Sequence, residues 1–144
     1  MEQFSLQPID DFLPDLPMND HLESPICYLQ KNNKLIIQHF LDDIAKSGNL
    51  VSEQQKFRQY IISIYKKEQL PQNTIRSIQG TGFDNIREIK TRHLRLYIIV
   101  SKNIIIVLGG KKTQQKQDIS RLKSLLNDLS SDPKLSSILN KTQK

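Results

Sequence analysis

Two neighbouring stretches of the chain repeat their apolar residues at helical intervals. In residues 34–46, Leu35, Phe40, Leu41 and Ile44 fall on one stripe, which Ile36 and Ile37 widen. Ser47-Gly48-Asn49 ends that helix, with Gly48 suited to a left-handed cap. Ser52, with Gln55 three residues on, predicts the N-terminus of a second helix as a capping box. Its stripe is Phe57, Tyr60, Ile61 and Ile64, and Pro71 is its stop. The short link between the two stripes predicts an antiparallel helix pair.

Elsewhere the period is two. Residues 26–29 read as a short strand after Pro25, and 74–78, 86–90, 94–100 and 103–108 read as further strands. Gly80-Thr81-Gly82 is a turn, and Ser101-Lys102 predicts a tight hairpin. Ile104, Ile105, Ile106 and Val107 are apolar on both faces, so their strand is expected at the centre, covered on both sides, with helices on at least one. Gly109-Gly110 is expected to break it. A helix follows over 117–129 with Ile119, Leu122, Leu126 and Leu129 on one face, and Asp132-Pro133 starts a last short helix. The order predicts an α+β fold: a small, mostly antiparallel sheet, two N-terminal helices packed on it, and a C-terminal helix, with helices segregated from the sheet.

Three segments follow: an arm over 1–24, a body over 25–130, and a short helix with a basic tail over 131–144. Pro8, Pro14 and Pro17 argue against regular structure in the arm. Charge sharpens the division. The chain is +6 overall, yet the arm holds six acids and no Lys or Arg, so the remainder carries +12, six more than the whole. A body that basic favours a polyanion as partner, and the acidic arm is placed to cover it. Cys27 is the only cysteine, which excludes an internal disulfide and fits a reducing compartment. The N-terminus has no apolar leader and the longest apolar run is far too short for a bilayer, so a cytoplasmic location without membrane contact is expected.

Three stretches resemble the RelE/ParE superfamily of toxins, in particular its HigB-like branch. The first is ICYLQKNNKLIIQHFLDDIAKSGN, a strand entering a helix with Phe40-Leu41-Asp42. The second is NIREIKTRHLRLYIIV, paired strands with Glu88-Ile89-Lys90 and Leu94-Arg95-Leu96-Tyr97. The third is IIIVLGGKKTQQKQDI, a final strand running into Lys111-Lys112-Thr113-Gln114, then Lys116 and Asp118-Ile119. Lys90 stands where the family more often has Arg, and the usual Thr-Pro after the lysine pair is replaced by Gln115-Lys116-Gln117. The resemblance implies a toxin of a type II toxin–antitoxin system that cleaves mRNA, often on the ribosome. It also implies a cognate antitoxin with a helix-turn-helix domain. ParE-like relatives share the fold, inhibit DNA gyrase and cleave no RNA. A non-catalytic RNA-binding module on the same fold is the third reading.

RNA is cut without metal or cofactor when its own 2′-OH attacks the adjacent phosphate. That needs a proton acceptor, cations around the phosphorane, and a donor to the leaving oxygen. The candidates for this work are Arg95, Lys111, Lys112 and His93, with RNA contacts expected from Arg87, Lys90, Arg92, Tyr97 and Lys116. Arg95 alternates with Leu94 and Leu96, and its neighbour across an antiparallel pair is Arg87 or Lys90, depending on register. Arg87, Lys90, Arg92, Arg95, Lys111 and Lys112 are expected to form one cationic patch. The competing reading of each is a solvated surface charge. His93 is the natural acid/base, or else an idle turn residue. Tyr97 reads as a base-stacking residue or as a core aromatic. The three histidines and one cysteine match no familiar metal-site spacing.

Overall fold

The apolar run at 104–107 lies in the middle of a seven-stranded mixed sheet. The computed structural model describes residues 3–9 and 26–141. In chain order the elements are β1 (Phe4–Pro8), β2 (Ile26–Lys31), β3 (Lys34–Leu35), α1 (Gln38–Lys46), α2 (Val51–Tyr65), β4 (Ile75–Ser77), β5 (Ile86–Lys90), β6 (Leu94–Val100), β7 (Ile104–Lys111) and α3 (Gln115–Ser130). The sheet order is β1-β2-β7-β6-β5-β4, with β3 paired to β2. Among the described residues only β2 and β7 run parallel; the other pairs are antiparallel.

The fold is α+β, but its helices are not segregated to one side. One apolar cluster joins Leu122, Leu126 and Leu129 of α3 to Ile99, Ile105 and Val107. The other joins Phe40, Ile44, Phe57 and Ile61 of α1 and α2 to Ile98, Ile104 and Ile106. An all-apolar strand leaves neither face fit for water, so helices cover both.

Several local expectations give way to longer-range forces. Part of the arm is regular: β1 pairs with β2 from Phe4↔Lys31 to Pro8↔Cys27, and Phe4 is buried in the α3-side core. Pro8 is tolerated at the strand's end. The rest of the arm, and its proposed covering role, lie outside the described residues. Residues 34 and 35 are strand rather than helix, because Asn32 and Asn33 both take left-handed φ (54° and 66°) and turn β2 back on itself. Ser52 is not the cap of α2, whose N-cap is Leu50, with no side-chain cap bond. That helix stops well before Pro71: Lys67 is left-handed (φ 59°) and the Glu68 N–H donates to the Ser63 carbonyl at 2.8 Å. The last short helix is a single 3₁₀ turn, Ser136–Ile138.

The glycine pair does not break β7, which runs on to Lys111. Tyr97 pairs with Leu108 but Ile98 pairs with Ile106, so Val107 is an extra, bulged residue. The bulge exchanges the faces of the residues that follow. Gly109 then turns toward α1, where an added Cβ would lie 2.4 Å from Phe40 Cδ2. Gly110 turns toward α3, where a Cβ would lie 1.9 Å from Asp118 Oδ2. The glycines are the places where two helices press on opposite faces of one strand.

Gly109→Ala and Gly110→Ala should each lower stability by about 1–3 kcal/mol through overpacking, measured by urea denaturation. Adding Asp118→Ala should recover part of the loss at Gly110 and none at Gly109. Equal losses at Gly110 with and without the carboxylate would contradict the packing account.

Candidate active site

The tight turn between β5 and β6 carries His93, and the end of β7 and the 3₁₀ turn that follows it carry Lys111 and Lys112. Register brings them together: Leu94 pairs with Lys111, and the Lys112 N–H donates to the His93 carbonyl at 2.8 Å. The three residues share the wall of a pocket of about 300 Å³ with Leu50 and Leu94. Because the bulge has exchanged faces, Lys111 stands on the α1 side with His93 rather than on the α3 side.

His93 is held by Glu53 of α2. Glu53 is 6% exposed, and its Oε2 lies 2.8 Å from His93 Nδ1. Its Oε1 accepts from the His93 backbone N–H at 2.7 Å and from the Thr91 hydroxyl. A carboxylate can only accept, so Nδ1 carries the proton and Nε2 of the neutral ring is left as a base. The imidazole itself is 58% exposed and so open to a substrate. Burial pushes the Glu53 carboxyl up, but the bonds from Thr91 and His93 outweigh it and leave the group below its ordinary value. The arrangement is a buried acid orienting an exposed histidine beside two lysines.

Comparison with protein-family models, curated proteins and solved structures finds no match. The resemblance to RelE/ParE toxins therefore rests on the three quoted stretches.

The other expected residues are dispersed. Arg95 pairs with Lys90 and Gly110, which puts it on the α3 face. Its Nη1 donates to the carbonyls of Thr91 (2.9 Å) and Leu94 (2.8 Å), so it braces the turn that carries His93 and does not line the pocket. Arg87 pairs with Ile98 on the opposite face and donates to the carbonyls of Asp84 and Ile86. Lys90, Arg92 and Lys116 are exposed, on β5, in the turn and on α3. The single cationic patch does not form, because the charges divide between two faces of a sheet covered on both. Tyr97 has no exposed surface, which removes it as a base-stacking platform.

Tyr97 belongs instead to a buried polar group under the first turns of α3. Glu88, 1% exposed, accepts from Arg76 Nε at 2.7 Å and from Gln115 Nε2 at 2.8 Å. Burial opposes its charge, but these bonds and the Arg76 cation hold it below its ordinary value. The Tyr97 hydroxyl lies near Glu88 without a hydrogen bond of good geometry, and burial and that carboxylate raise its pKa. Asp118, 5% exposed, keeps Oδ1 3.8 Å from Arg121 Nη1 while Oδ2 has no partner. Burial raises its carboxyl, with Arg121 opposing only in part.

A second cleft, of about 360 Å³, adjoins the His93 pocket and shares Leu50, Leu94 and Lys111 with it. It is lined from one face of the sheet by Phe40 and from the other by Asp118. A cleft can touch both faces only at an open edge. Pairing of β7 with β2 stops at Tyr28↔Ile106, so its last five residues have no strand on that side among the described residues. A third pocket, holding Lys31 and Lys34, shares Ile36 and Arg121 with the second. The three adjoin through shared lining residues and together make a groove, the first two at the edge of β7 and the third between the β2–β3 hairpin and α3. No cluster of metal-ligating side chains, and no helix long and apolar enough to cross a membrane, occurs among the described residues.

Glu53 and Asp118 were not picked out from sequence. Nothing local links Glu53 to a histidine 40 residues away. Asp118 did carry a signal: it continues the stripe of Leu122, Leu126 and Leu129, an acid on an apolar face.

The two acids should oppose each other in titration. The Glu53 carboxyl is lowered in the fold, so it stabilises above its unfolded value of 4.5 and loses that contribution as pH falls through the folded value. The Asp118 carboxyl is raised, so its ionisation opposes folding, and stability is regained as pH falls toward 3.8. Glu53→Gln should destabilise at pH 7 and Asp118→Asn should stabilise, both differences shrinking on acidification. Denaturation curves across pH measure this; a destabilised Asp118→Asn at pH 7 would contradict it.

Proposed function

We propose that this chain is a RelE-like toxin of a type II toxin–antitoxin system, acting as an mRNA interferase and neutralised by an antitoxin with a helix-turn-helix domain. The observation that carries the reading is the Glu53–His93 pair beside Lys111 and Lys112. Neutral His93 Nε2 takes the proton of a ribose 2′-OH. The 2′-oxygen attacks the adjacent phosphorus as the bond to the 5′-oxygen breaks. The lysine ammonium groups stabilise the phosphorane charge, and one of them donates a proton to the leaving 5′-oxygen. The products are a 2′,3′-cyclic phosphate and a 5′-hydroxyl. Glu53 acts by positioning, since it keeps the ring's tautomer and stabilises the imidazolium once formed.

The groove supports a single strand as substrate. It begins at a strand edge that β2 leaves unpaired and has cationic side chains at both ends: Lys111 and Lys112 at one, Lys31 and Lys34 at the other. A gyrase inhibitor that cleaves nothing would leave the oriented histidine without a task, which favours the nuclease reading over the ParE-like one.

Expression should arrest growth and deplete transcripts. Purified protein, alone or with ribosomes, should cleave RNA in the presence of a chelator. His93→Ala should cost on the order of 10²–10⁴ in rate, and Glu53→Gln less, in folded protein. Growth arrest with transcripts intact, or His93→Ala as active as wild type, would refute the proposal.

A further inference from the structure

The third pocket, between the β2–β3 hairpin and α3, gathers positive charge against the interest of the fold. Asn32 and Asn33 both take left-handed φ and close a two-residue turn, which makes Lys31 and Lys34 direct cross-strand partners. Side chains so paired leave the hairpin on one face with Cβ atoms about 5 Å apart, and like charges there destabilise the strand pair. The turn is not free to splay. The Asn32 N–H donates to the Gln3 carbonyl at 2.7 Å, and Asn32 Oδ1 accepts from the Gln3 N–H at 3.0 Å. Both lysines line the pocket, and Arg121 of α3 adds a third cation to it. Among the described residues of that lining the one acid is Asp128, which is exposed. Arg121 Nη1 reaches Asp118 Oδ1 only at 3.8 Å, near the outer limit of an ion pair. Cations held together oppose folding, and an anion between them reverses the sign.

We propose that Lys31, Lys34 and Arg121 hold a backbone phosphate of single-stranded RNA, along the groove from the bond that His93 cleaves. A phosphodiester presents two non-bridging oxygens that share one negative charge. The planar Arg121 guanidinium can donate to both, while the two ammonium groups add charge without a fixed direction. Ser124, on the same wall, adds a hydroxyl donor. Continuity selects a polynucleotide among anions. The pocket shares Ile36 and Arg121 with the middle cleft, and that cleft shares Lys111 with the His93 pocket. A small anion fills one end of this path. A strand with a phosphate at every residue engages both ends, at Lys111 and Lys112 and again at the hairpin. Phosphate contacts position a strand and carry no sequence information. The hairpin site therefore acts on affinity for RNA of any sequence and leaves the chemical step alone.

The inference rests on the nuclease reading for its choice of polymer, and uncleavable strands test it separately. The probe is a short 2′-O-methyl RNA of mixed sequence, titrated against the full chain by fluorescence anisotropy over a range of KCl concentrations. Each phosphate neutralised on a single strand contributes about 0.7 to the slope of log affinity against log salt. Lys31→Gln combined with Lys34→Gln should flatten that slope by about 0.7 and weaken binding on the order of three- to tenfold at low salt. Lys66→Gln combined with Lys67→Gln removes the same charge from exposed positions just past the end of α2, opposite the end that carries Glu53, and should leave slope and affinity near those of wild type. The urea midpoint of the hairpin variant, expected at or above that of wild type because the like-charge pair is gone, separates lost binding from lost fold. In cleavage of long RNA the hairpin variant should raise KM by a similar factor with kcat unchanged. A wild-type slope in the hairpin variant, or an equal loss in the α2 variant, overturns the proposal. The slope change without any cleavage keeps the phosphate site and discards the nuclease; cleavage with slope and KM unmoved by the hairpin substitutions does the reverse.

Discussion

Two helices meet one strand at adjacent residues, from opposite sides, and the fold depends on that contact. Phe40 of α1 occupies the space of a side chain at Gly109, and Asp118 of α3 occupies the space of a side chain at Gly110. Neither approach is possible with a Cβ in place. The bulge at Val107 sets which glycine faces which helix. β7 is apolar on both faces and pairs along its length with β6, which holds it between the two helices.

The same contact makes the site. Continuing past the glycines, β7 delivers Lys111 and Lys112 beside the β5–β6 turn. The turn is fixed from both sides of the sheet, by Glu53 of α2 on one and by the Arg95 guanidinium on the other. His93 is thus exposed but oriented, a combination that surface histidines rarely have, since an exposed ring ordinarily samples several rotamers. On the α3 side, pressing Asp118 against Gly110 strands a carboxylate oxygen in a wall with no donor. That placement opposes ionisation of the carboxyl, which burial raises.

Much of the fold was legible as periodicity. The double-faced apolar run, the hairpin into it and the stripe of α3 report burial, which local pattern encodes, and the turn at residues 80–82 is marked by glycines that take positive φ. The errors share a cause. Residues 109 and 110 looked like a break because glycine is a poor strand former in isolation; here close packing on both faces is worth more than propensity. Phe4–Pro8 looked irregular because the local signal is two polar residues and a proline; the edge of β2 supplies the hydrogen bonds. Of the expected site, His93, Lys111 and Lys112 converge, while Arg95 braces, Arg87 faces away and Tyr97 is core. Alternation along a strand tells which residues share a face, but not which face will be covered.

By itself the sequence determined which segments are buried, that one strand is buried on both sides, and that the body is strongly basic. These are properties of composition and spacing, fixed before any long-range contact forms. The tertiary structure alone decided the parallel partner of β7, the bulge, the open edge beside its last residues, and the pairing of Glu53 with His93. Each depends on the register between segments tens of residues apart, which is set by how whole faces pack and has no imprint in either segment separately.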